Sequence, residues 1–315
     1  MKHVLVTGGA GFIGSHLCDA LLARGYAVTA VDNYVTGRRE NVAAALKSPH
    51  FDLVEADICS PLPQLKLVDR FGLHGVLHFA CPASPVDFDR IPFVILTVDS
   101  IGTKLTVDLA LEHKARYVVA STSEIYGDPL VHPQTEDYWG NVNTIGPRAC
   151  YDETKRFAEA YVSTAARLAG LNGGMVRIFN TYGPRMRPDD GRIVPELCMQ
   201  ALARKPLTIH GTGQQTRSFC YVSDLVDGIL RYFESSHQEP MNIGNPDERS
   251  VLEFAQVVME LTSPEGGGKI EHLPGRQDDP KRRCPEITRA KTKLGWSPRV
   301  DLRTGLKSTI DYFRS

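Results

Sequence analysis

A glycine-rich turn between a strand pattern and a helical pattern constrains the fold more than any other feature of the sequence. The strand pattern is His3–Thr7, the helical pattern covers residues 12–24, and Gly8, Gly11 and Gly14 lie where the two meet. Glycine permits a tight turn and lets the backbone approach a pyrophosphate, while the helix start offers free N–H groups and the positive end of its dipole. This segment therefore predicts a dinucleotide-binding βαβ unit.

An acidic residue stands at the end of the second strand pattern, residues 27–31. The carboxylate of Asp32 is positioned to accept hydrogen bonds from a ribose diol, and it would repel the 2′-phosphate of NADP. We therefore expect NAD as the cofactor. Arg38 and Arg39 follow closely, and they either soften this preference or form a solvated basic turn.

Strand and helix patterns alternate through the first half of the chain. Further strand patterns cover residues 51–56, 75–79, 116–121 and 175–179, and the clearest helical patterns between them cover residues 97–113 and 151–168. This alternation predicts an α/β fold, a doubly wound parallel sheet of the Rossmann type. We expect an NAD-binding domain over 1–180, with a return of the chain near 216–245, and a smaller C-terminal substrate-binding lobe over 181–315. Two helical patterns, 251–262 and 302–313, fall in that lobe.

The composition excludes several classes of protein. Lys and Arg total 36 against 37 Asp and Glu, for a formal net charge of −1. This balance argues against nucleic acid or a membrane surface as a partner, and the apolar runs are too short for a membrane span. No secretory signal is recognisable at the start. The cysteines number seven, with no CxxC pair, so we expect reduced thiols, a cytoplasmic location and no metal site.

Tyr151 and Lys155 form a YxxxK pair within a helical pattern. The i, i+4 spacing places both side chains on one helix face, where an ammonium group favours the phenolate form of a tyrosine. A phenolate can remove the proton of a sugar hydroxyl while hydride leaves the same carbon. By itself, however, such a pair is more often a surface feature than a catalytic one.

Polar residues Thr122, Ser123 and Glu124 directly follow the strand pattern 116–121. Ligands of open parallel sheets bind at the carboxyl ends of the strands, so this segment is a candidate catalytic loop. Helix capping followed by a turn is the structural alternative.

These features together resemble the extended short-chain dehydrogenase/reductases, the NAD-dependent epimerase/dehydratase family, and the resemblance covers essentially the whole chain. Within that family the sequence is most similar to the UDP-glucuronate decarboxylases, or UDP-xylose synthases. The segments that carry this resemblance are HFACPASP (78–85), STSEIYGDP (121–129), YWGNVN (138–143), CYDETKR (150–156), RIFNTYGPRM (177–186), DDGRIVP (189–195), LTIHGTGQQTRSF (207–219) and DDPKRRCPEITRAKTKLGW (278–296).

The resemblance implies decarboxylation of UDP-glucuronate through a 4-keto intermediate, giving UDP-xylose. Two departures from the family pattern, Thr154 and Asp99, add the expectation that some UDP-4-keto-pentose is released. The catalytic residues it implies are Thr122, Ser123, Glu124, Tyr151, Lys155 and Arg283. The expected cofactor-binding residues are Gly8, Gly11, Phe12, Ile13, Gly14, Asp32, Asn33, Asp57, Ile58, Ala80, Asp99, Tyr151 and Lys155. The expected substrate-binding residues are Pro82, Asn180, Arg185, Arg192, Leu207, Thr208, His210 and Arg217. The family also pairs the helices at 97–113 and 151–168 across a two-fold axis, which implies a homodimer built on a four-helix bundle.

Four positions depart from the family pattern. Thr154 replaces a usual Gly, Asp99 a usual Asn, His210 a usual Tyr and Cys284 a usual Lys. Thr154 and Asp99 are expected near the nicotinamide of the cofactor. These two changes therefore put in doubt how firmly the cofactor is held and how it is oxidised and reduced again, but not the fold. Glu124 is a further difficulty, because an ionised carboxylate would oppose a sugar carboxylate. A raised pKa, a water partner or destabilisation of the bound carboxylate is therefore expected.

Three other functions remain open. A dTDP-glucose 4,6-dehydratase shares the first oxidation, but its family places an Asp-Glu pair where this chain has Ser123-Glu124, and serine is a poor acid. Another nucleotide-sugar epimerase would have no need of Glu124. A non-catalytic NAD-binding regulator is opposed by the intact Thr122, Tyr151 and Lys155.

Overall fold

The residues that the computed structural model describes, 1–263, 268–275 and 282–315, fold around a central parallel β-sheet. In chain order the strands are β1 (His3–Thr7), β2 (Ala27–Asp32), β3 (Phe51–Glu55), β4 (Gly75–His78), β5 (Arg116–Thr122), β6 (Gly173–Ile178), β7 (Thr181–Tyr182), β8 (Leu207–His210), β9 (Thr216–Ser218), β10 (Cys220–Tyr221), β11 (Met241–Ile243), β12 (Glu248–Ser250) and β13 (Ile270–Leu273). The α-helices are α1 (Phe12–Ala23), α2 (Lys66–Phe71), α3 (Pro85–Arg90), α4 (Pro92–Thr97), α5 (Thr103–Glu112), α6 (Ala149–Ala169), α7 (Ile193–Leu202), α8 (Val222–Glu234), α9 (Val251–Thr262), α10 (Thr288–Leu294) and α11 (Leu302–Arg314).

The central sheet has the strand order β11-β6-β5-β4-β1-β2-β3, and each adjacent pair is parallel. Every residue of β1, β2 and β5 is buried, as expected for strands covered by helices on both faces. The order reverses between β1 and β4, so the crevice at their carboxyl ends is the place where such sheets bind ligands. The predicted doubly wound α/β class is confirmed.

The helical pattern over 97–113 is not one regular helix. α4 ends at Thr97, a π-helical turn covers Val98–Gly102, and α5 begins only at Thr103. Sequence periodicity did not reveal this, because a π-turn adds a residue to one turn without interrupting the apolar pattern. The turn carries Asp99, whose side chain is fully buried.

A second apolar core lies beyond the central sheet. It is formed chiefly by α7, α9, α11 and β8, with Phe254 and Leu306 among its fully buried residues. Two elements that lie between β8 and α9 along the chain belong to the central sheet instead. Helix α8 packs on that sheet, and β11 pairs with β6. The proposed boundary at residue 180 remains a prediction. Of the matched segment 278–296, residues 278–281 lie outside the described residues.

The described ranges contain neither a membrane-spanning helix nor a metal-binding cluster. No helix there has both the length and the apolar character needed to cross a bilayer. No group of three metal-ligating side chains occurs in those ranges either. The seven cysteines are all unpaired thiols.

Candidate active site

One large cleft, open at the carboxyl ends of β1, β4 and β5, gathers most of the predicted site residues. Those that line it are Gly8, Gly11, Phe12, Ile13, Gly14, Asp32, Asn33, Asp57, Ile58, Ala80, Pro82, Thr122, Ser123, Glu124, Tyr151, Lys155, Asn180, Arg185, Arg192, Thr208, His210 and Arg217. Three predicted residues stand behind its wall. Asp99 and Arg283 contact lining residues from within the protein, while Leu207 packs in the second apolar core.

The glycine-rich turn forms a cradle at one end of the cleft. Gly8 has φ +68°, which favours glycine, and a Cβ at Gly14 would lie 2.0 Å from the Gly8 carbonyl oxygen. α1 begins after Gly11 with no side-chain cap and no acidic residue in its first turn. Its first N–H groups and its positive dipole end are therefore available to a pyrophosphate.

Asp32 lies beside this cradle at the end of β2. Its Oδ2 accepts a hydrogen bond from the backbone N–H of Ala10 (2.9 Å) and its Oδ1 accepts one from that of Tyr34 (2.9 Å). Burial raises the pKa of Asp32, and these N–H groups lower it. Arg38 is turned away, since its Nη2 donates to the Tyr312 hydroxyl (3.2 Å) and to the Met186 carbonyl (3.4 Å). The carboxylate is thus fixed in place by backbone N–H groups, and no arginine of the described ranges pairs with it.

The other end of the cleft holds Tyr151 and Lys155 on α6. Lys155 Nζ donates to Asp99 Oδ1 and to the Ala120 carbonyl, both at 3.0 Å, and lies 5.7 Å from the centre of the Tyr151 ring. The Thr122 side chain lies near enough to the Tyr151 hydroxyl to lower its pKa. Burial raises the pKa of Tyr151 above its ordinary value, against the lowering influence of Lys155 and Thr122. In the ligand-free protein burial therefore outweighs the ammonium and favours the phenol form, while the role of Tyr151 as a base stays a prediction.

Glu124 is held between two arginines. Arg283 Nη1 donates to its Oε1 and Arg148 Nη2 to its Oε2. Burial favours a higher pKa for Glu124, but the charges of Arg283 and Arg148 hold it well below its ordinary value. Of the three expectations for this residue, the raised pKa is wrong, because ion pairing exceeds desolvation.

Arg148 and Phe88 line the cleft and were missed by the sequence interpretation. Arg148 immediately precedes α6, and the Phe88 ring stacks on Tyr151 with a centroid distance of 5.1 Å and an interplanar angle of 19°. The i, i+3 spacing of Arg148 and Tyr151 was a signal for the first residue. Nothing in the sequence marked Phe88, whose role depends on tertiary packing.

The remaining predicted arginines differ in their partners. Arg185 Nη2 pairs with Asp19 at 2.6 Å, and Arg192 Nη2 pairs with Asp190 at 2.8 Å. Arg217 is buried and donates to the Thr216 carbonyl. The positive charge that two of these side chains bring to the cleft is therefore partly balanced by neighbouring carboxylates.

Comparisons with known proteins agree with this geometry. The model of the NAD dependent epimerase/dehydratase family matches residues 4–244. The chain belongs to this family. UDP-glucuronic acid decarboxylase 4 of Arabidopsis thaliana is 50% identical to it over 311 residues, covering 99% of this chain and 68% of the relative. UDP-glucuronic acid decarboxylase 1 of Xenopus tropicalis is 47% identical, with 99% and 72% covered.

Solved structures of nucleotide-sugar epimerases have the same fold as this chain. The UDP-glucuronic acid 4-epimerase of Bacillus cereus, solved with UDP-glucuronic acid and NAD, has a TM-score of 0.89 at 28% identity, with 99% of each chain covered. The UDP-glucose 4-epimerase of Thermotoga maritima has a TM-score of 0.88 at 30% identity, also with 99% of each chain covered. The cofactor of this family member is NAD, and the glycine cradle and Asp32 fit its pyrophosphate and ribose.

Proposed function

We propose that this member of the NAD-dependent epimerase/dehydratase family catalyses the decarboxylation of UDP-glucuronate to UDP-xylose, with some UDP-4-keto-pentose released. One observation carries the proposal: Glu124, Arg148 and Arg283 form an ionic cluster beside the end of β5, where Thr122 lies. Two guanidinium groups against one carboxylate leave a positive balance next to the proposed base. The positive charge of this cluster would attract a sugar carboxylate, but it would not attract a neutral sugar. The names of the relatives at 47–50% identity support the same substrate.

The first step in this mechanism is removal of the C4 hydroxyl proton by Tyr151. Thr122 and the Lys155 charge favour the phenolate that this requires, and the stacked Phe88 ring holds the phenol in position. NAD held by the glycine cradle and Asp32 would supply the acceptor for the C4 hydride and the donor for its return. Oxidation at C4 makes the sugar a β-keto acid, which loses carbon dioxide because the electron pair spreads into an enolate.

The enolate oxygen forms where the C4 hydroxyl was. The hydroxyls of Thr122 and the now protonated Tyr151 can both donate to it, and removal of one such preorganised donor typically costs about 3 kcal/mol of transition-state stabilisation. Arg283 donates hydrogen bonds to the side chains of Ser123 and Glu124 from behind the cleft wall. Its proposed role is to hold these two side chains in place. Protonation of C5 and reduction of the ketone then give the pentose.

The other predicted roles are proposals that rest on position. The glycine cradle, Asp32 and the residues around Asp57 and Ala80 would hold NAD, and Asn180, Arg185, Arg192, Thr208, His210 and Arg217 would hold the UDP group. Leu207 is assigned to the substrate only through its backbone, since its side chain is buried in the second core. We also propose a cytoplasmic location and an NAD-binding domain that ends near residue 180.

We propose a homodimer built on α4, α5 and α6. Phe93 on α4 is 79% exposed, Ile101 in the π-helical turn 48% and Phe157 on α6 45%, and α4 packs against α6. Large apolar side chains exposed together indicate an interface, and a second copy of the chain is the partner that the family resemblance implies.

The direct test is release of carbon dioxide from UDP-glucuronate labelled in its carboxyl group. With NAD present, the protein should release label and form UDP-xylose, and Tyr151→Phe should do neither. A C4 epimer with the label retained would establish an epimerase instead. Label retention without any product would favour a non-catalytic NAD-binding protein.

A further inference from the structure

Arg148 joins the proposed base to the ionic cluster, and no role has so far been assigned to it. We propose that Arg148 is the specificity residue of the site: it binds the carboxylate of the sugar by exchanging its contact with Glu124 for one with the substrate. This inference rests on the proposed function, because it names the group that recognises the substrate's acidic carbon.

Position supports the assignment. Arg148 precedes Tyr151 by three residues at the start of α6, and both contact Phe88: Tyr151 stacks on the ring, and the Arg148 guanidinium carbon lies 5.5 Å from the ring centre. The C4 hydroxyl of the sugar must reach Tyr151, and the carboxylate is carried by C5, the next carbon of the ring. A sugar in reacting position therefore brings its carboxylate to the part of the cleft that Arg148 lines.

The two arginines of the cluster are not equivalent. The Arg283 side chain is 3% exposed, and besides Glu124 it donates to the Ser123 hydroxyl and the Gly127 carbonyl, both at 3.3 Å. The Arg148 side chain is 18% exposed and lines the cleft. Arg283 can therefore keep Glu124 in place while Arg148 turns to a second carboxylate, which its planar fork of N–H donors suits.

The charge balance also favours this exchange. Arg148 Nε lies 3.8 Å from Asp152 Oδ2, which would cancel its charge if Asp152 were ionised. Burial and the nearby Glu124 carboxylate raise the pKa of Asp152 to about 7, so near neutral pH Asp152 cancels only part of the charge of Arg148. The cluster thus keeps a positive balance for an incoming anion. UDP-glucose has a hydroxymethyl group in place of the carboxylate, so it would form no ion pair with Arg148.

Binding measurements on the NAD-loaded protein test the proposal with UDP-glucuronate and UDP-glucose as paired ligands. The parent and every variant carry Tyr151→Phe in these measurements, so that UDP-glucuronate binds without being consumed. Isothermal titration should show that the parent prefers UDP-glucuronate. Arg148→Gln should weaken UDP-glucuronate binding by about 10- to 100-fold, as expected for loss of a charged hydrogen bond, with UDP-glucose binding unchanged. Arg167→Gln, an exposed arginine late in the same helix, is the matched control and should alter neither ligand.

Glu124→Gln tests the same contact between Arg148 and Glu124 through its other partner. It also provides the test if Arg148→Gln does not fold. It removes the carboxylate that competes for Arg148, so UDP-glucuronate should bind several-fold more tightly and UDP-glucose as before. Retained preference in Arg148→Gln, an equal loss for both ligands, or weaker UDP-glucuronate binding in Glu124→Gln would each overturn the assignment of Arg148. A parent protein that does not prefer UDP-glucuronate would instead overturn the proposed substrate, and this inference with it.

Discussion

Lys155 and Asp99 form a buried ion pair directly behind the proposed catalytic tyrosine, with 3.0 Å between Nζ and Oδ1. Their side chains are 4% and 0% exposed. The carboxylate cancels much of the charge through which Lys155 would favour the phenolate form of Tyr151. Because the resemblance gives Asn as the usual residue at position 99, this chain combines the family's YxxxK pair with an unusual counter-ion.

Asp99→Asn should shift the pH dependence of catalysis. The Asp99 charge raises the pKa of Tyr151, so its removal should lower that pKa and move the acidic limb of the kcat/KM profile to lower pH. We expect a shift of about one pH unit, the lower range for loss of a close charge. A profile measured from the acid to the alkaline range checks this. The groups that also face the pair, His78 and Cys81 from the β4 end and Tyr117 from β5, are unchanged in this variant.

The same variant should lower stability, because it leaves the Lys155 ammonium buried beside a neutral amide. Loss of one partner of a buried pair costs on the order of 3 kcal/mol in the free energy of unfolding. Urea denaturation measures the change. Asp108→Asn removes the exposed Lys104–Asp108 pair (2.5 Å) and is the matched control, for which neither stability nor the pH profile should change. Equal effects of the two variants would contradict a special role for Asp99.

Tyr151→Phe should abolish hydride transfer while UDP-glucuronate binding remains largely intact. The phenyl ring keeps its stacking on Phe88, and only the hydroxyl that exchanges the C4 proton is lost. Lys155→Met should weaken both catalysis and NAD binding, and it also leaves Asp99 buried without its cation. Single-turnover formation of NADH, measured by absorbance, separates the two variants from the parent. Near-normal turnover in Tyr151→Phe would assign the base to another residue.

Strands β1, β2 and β5 were predictable because each is a short, buried run rich in apolar residues. The glycine turn and Asp32 were predictable because their spacing reflects backbone requirements that are local in sequence. The ionisation of Glu124 was not predictable, since it depends on Arg148 and Arg283, which are 24 and 159 residues away. The π-helical turn that buries Asp99 was likewise invisible to helical periodicity.

The binding preference for NAD over NADP should depend on Asp32. A carboxylate fixed by two backbone N–H groups would face the 2′-phosphate, and such like-charge contact costs several kcal/mol, so NAD should bind on the order of 100-fold more tightly. Asp32→Asn should narrow this ratio, as measured by equilibrium titration of both cofactors. Arg38→Gln should leave the ratio unchanged, because Arg38 already bonds to Met186 and Tyr312. Equal affinity of the parent for the two cofactors would refute the role of Asp32.

The protein should sediment as a dimer at micromolar concentration. Phe93→Asp combined with Phe157→Asp should give a monomer, because two charges would then enter the proposed apolar interface. Leu130→Asp changes a residue that is 82% exposed and belongs to none of the helices of the proposed interface, so this control should stay dimeric. A monomeric parent would rule out the proposed assembly.

The last prediction concerns how the reaction ends. After carbon dioxide leaves, the 4-keto pentose must stay bound until its ketone is reduced, and its escape would leave NADH on the protein. Thr154 is 4% exposed on α6 and directly precedes Lys155, while Asp99 fixes the Lys155 ammonium. We propose that both residues, through Lys155, affect the position of the cofactor, and a displacement of about 1 Å at the reacting atoms can cost ~100-fold in rate.

We therefore expect UDP-xylose as the main product, with a measurable share of UDP-4-keto-pentose and a matching accumulation of NADH. Thr154→Gly and Asp99→Asn, which each restore the family's usual residue, should lower the released share, and added NADH should lower it in all variants. Thr154→Ala removes the hydroxyl without glycine's cost of roughly 1 kcal/mol in a helix interior, and it separates side-chain bulk from backbone freedom. Chromatographic product analysis on the parent and the three variants measures these shares. No keto product from the parent would end the proposal, and a share that neither substitution changes would remove Thr154 and Asp99 as its cause.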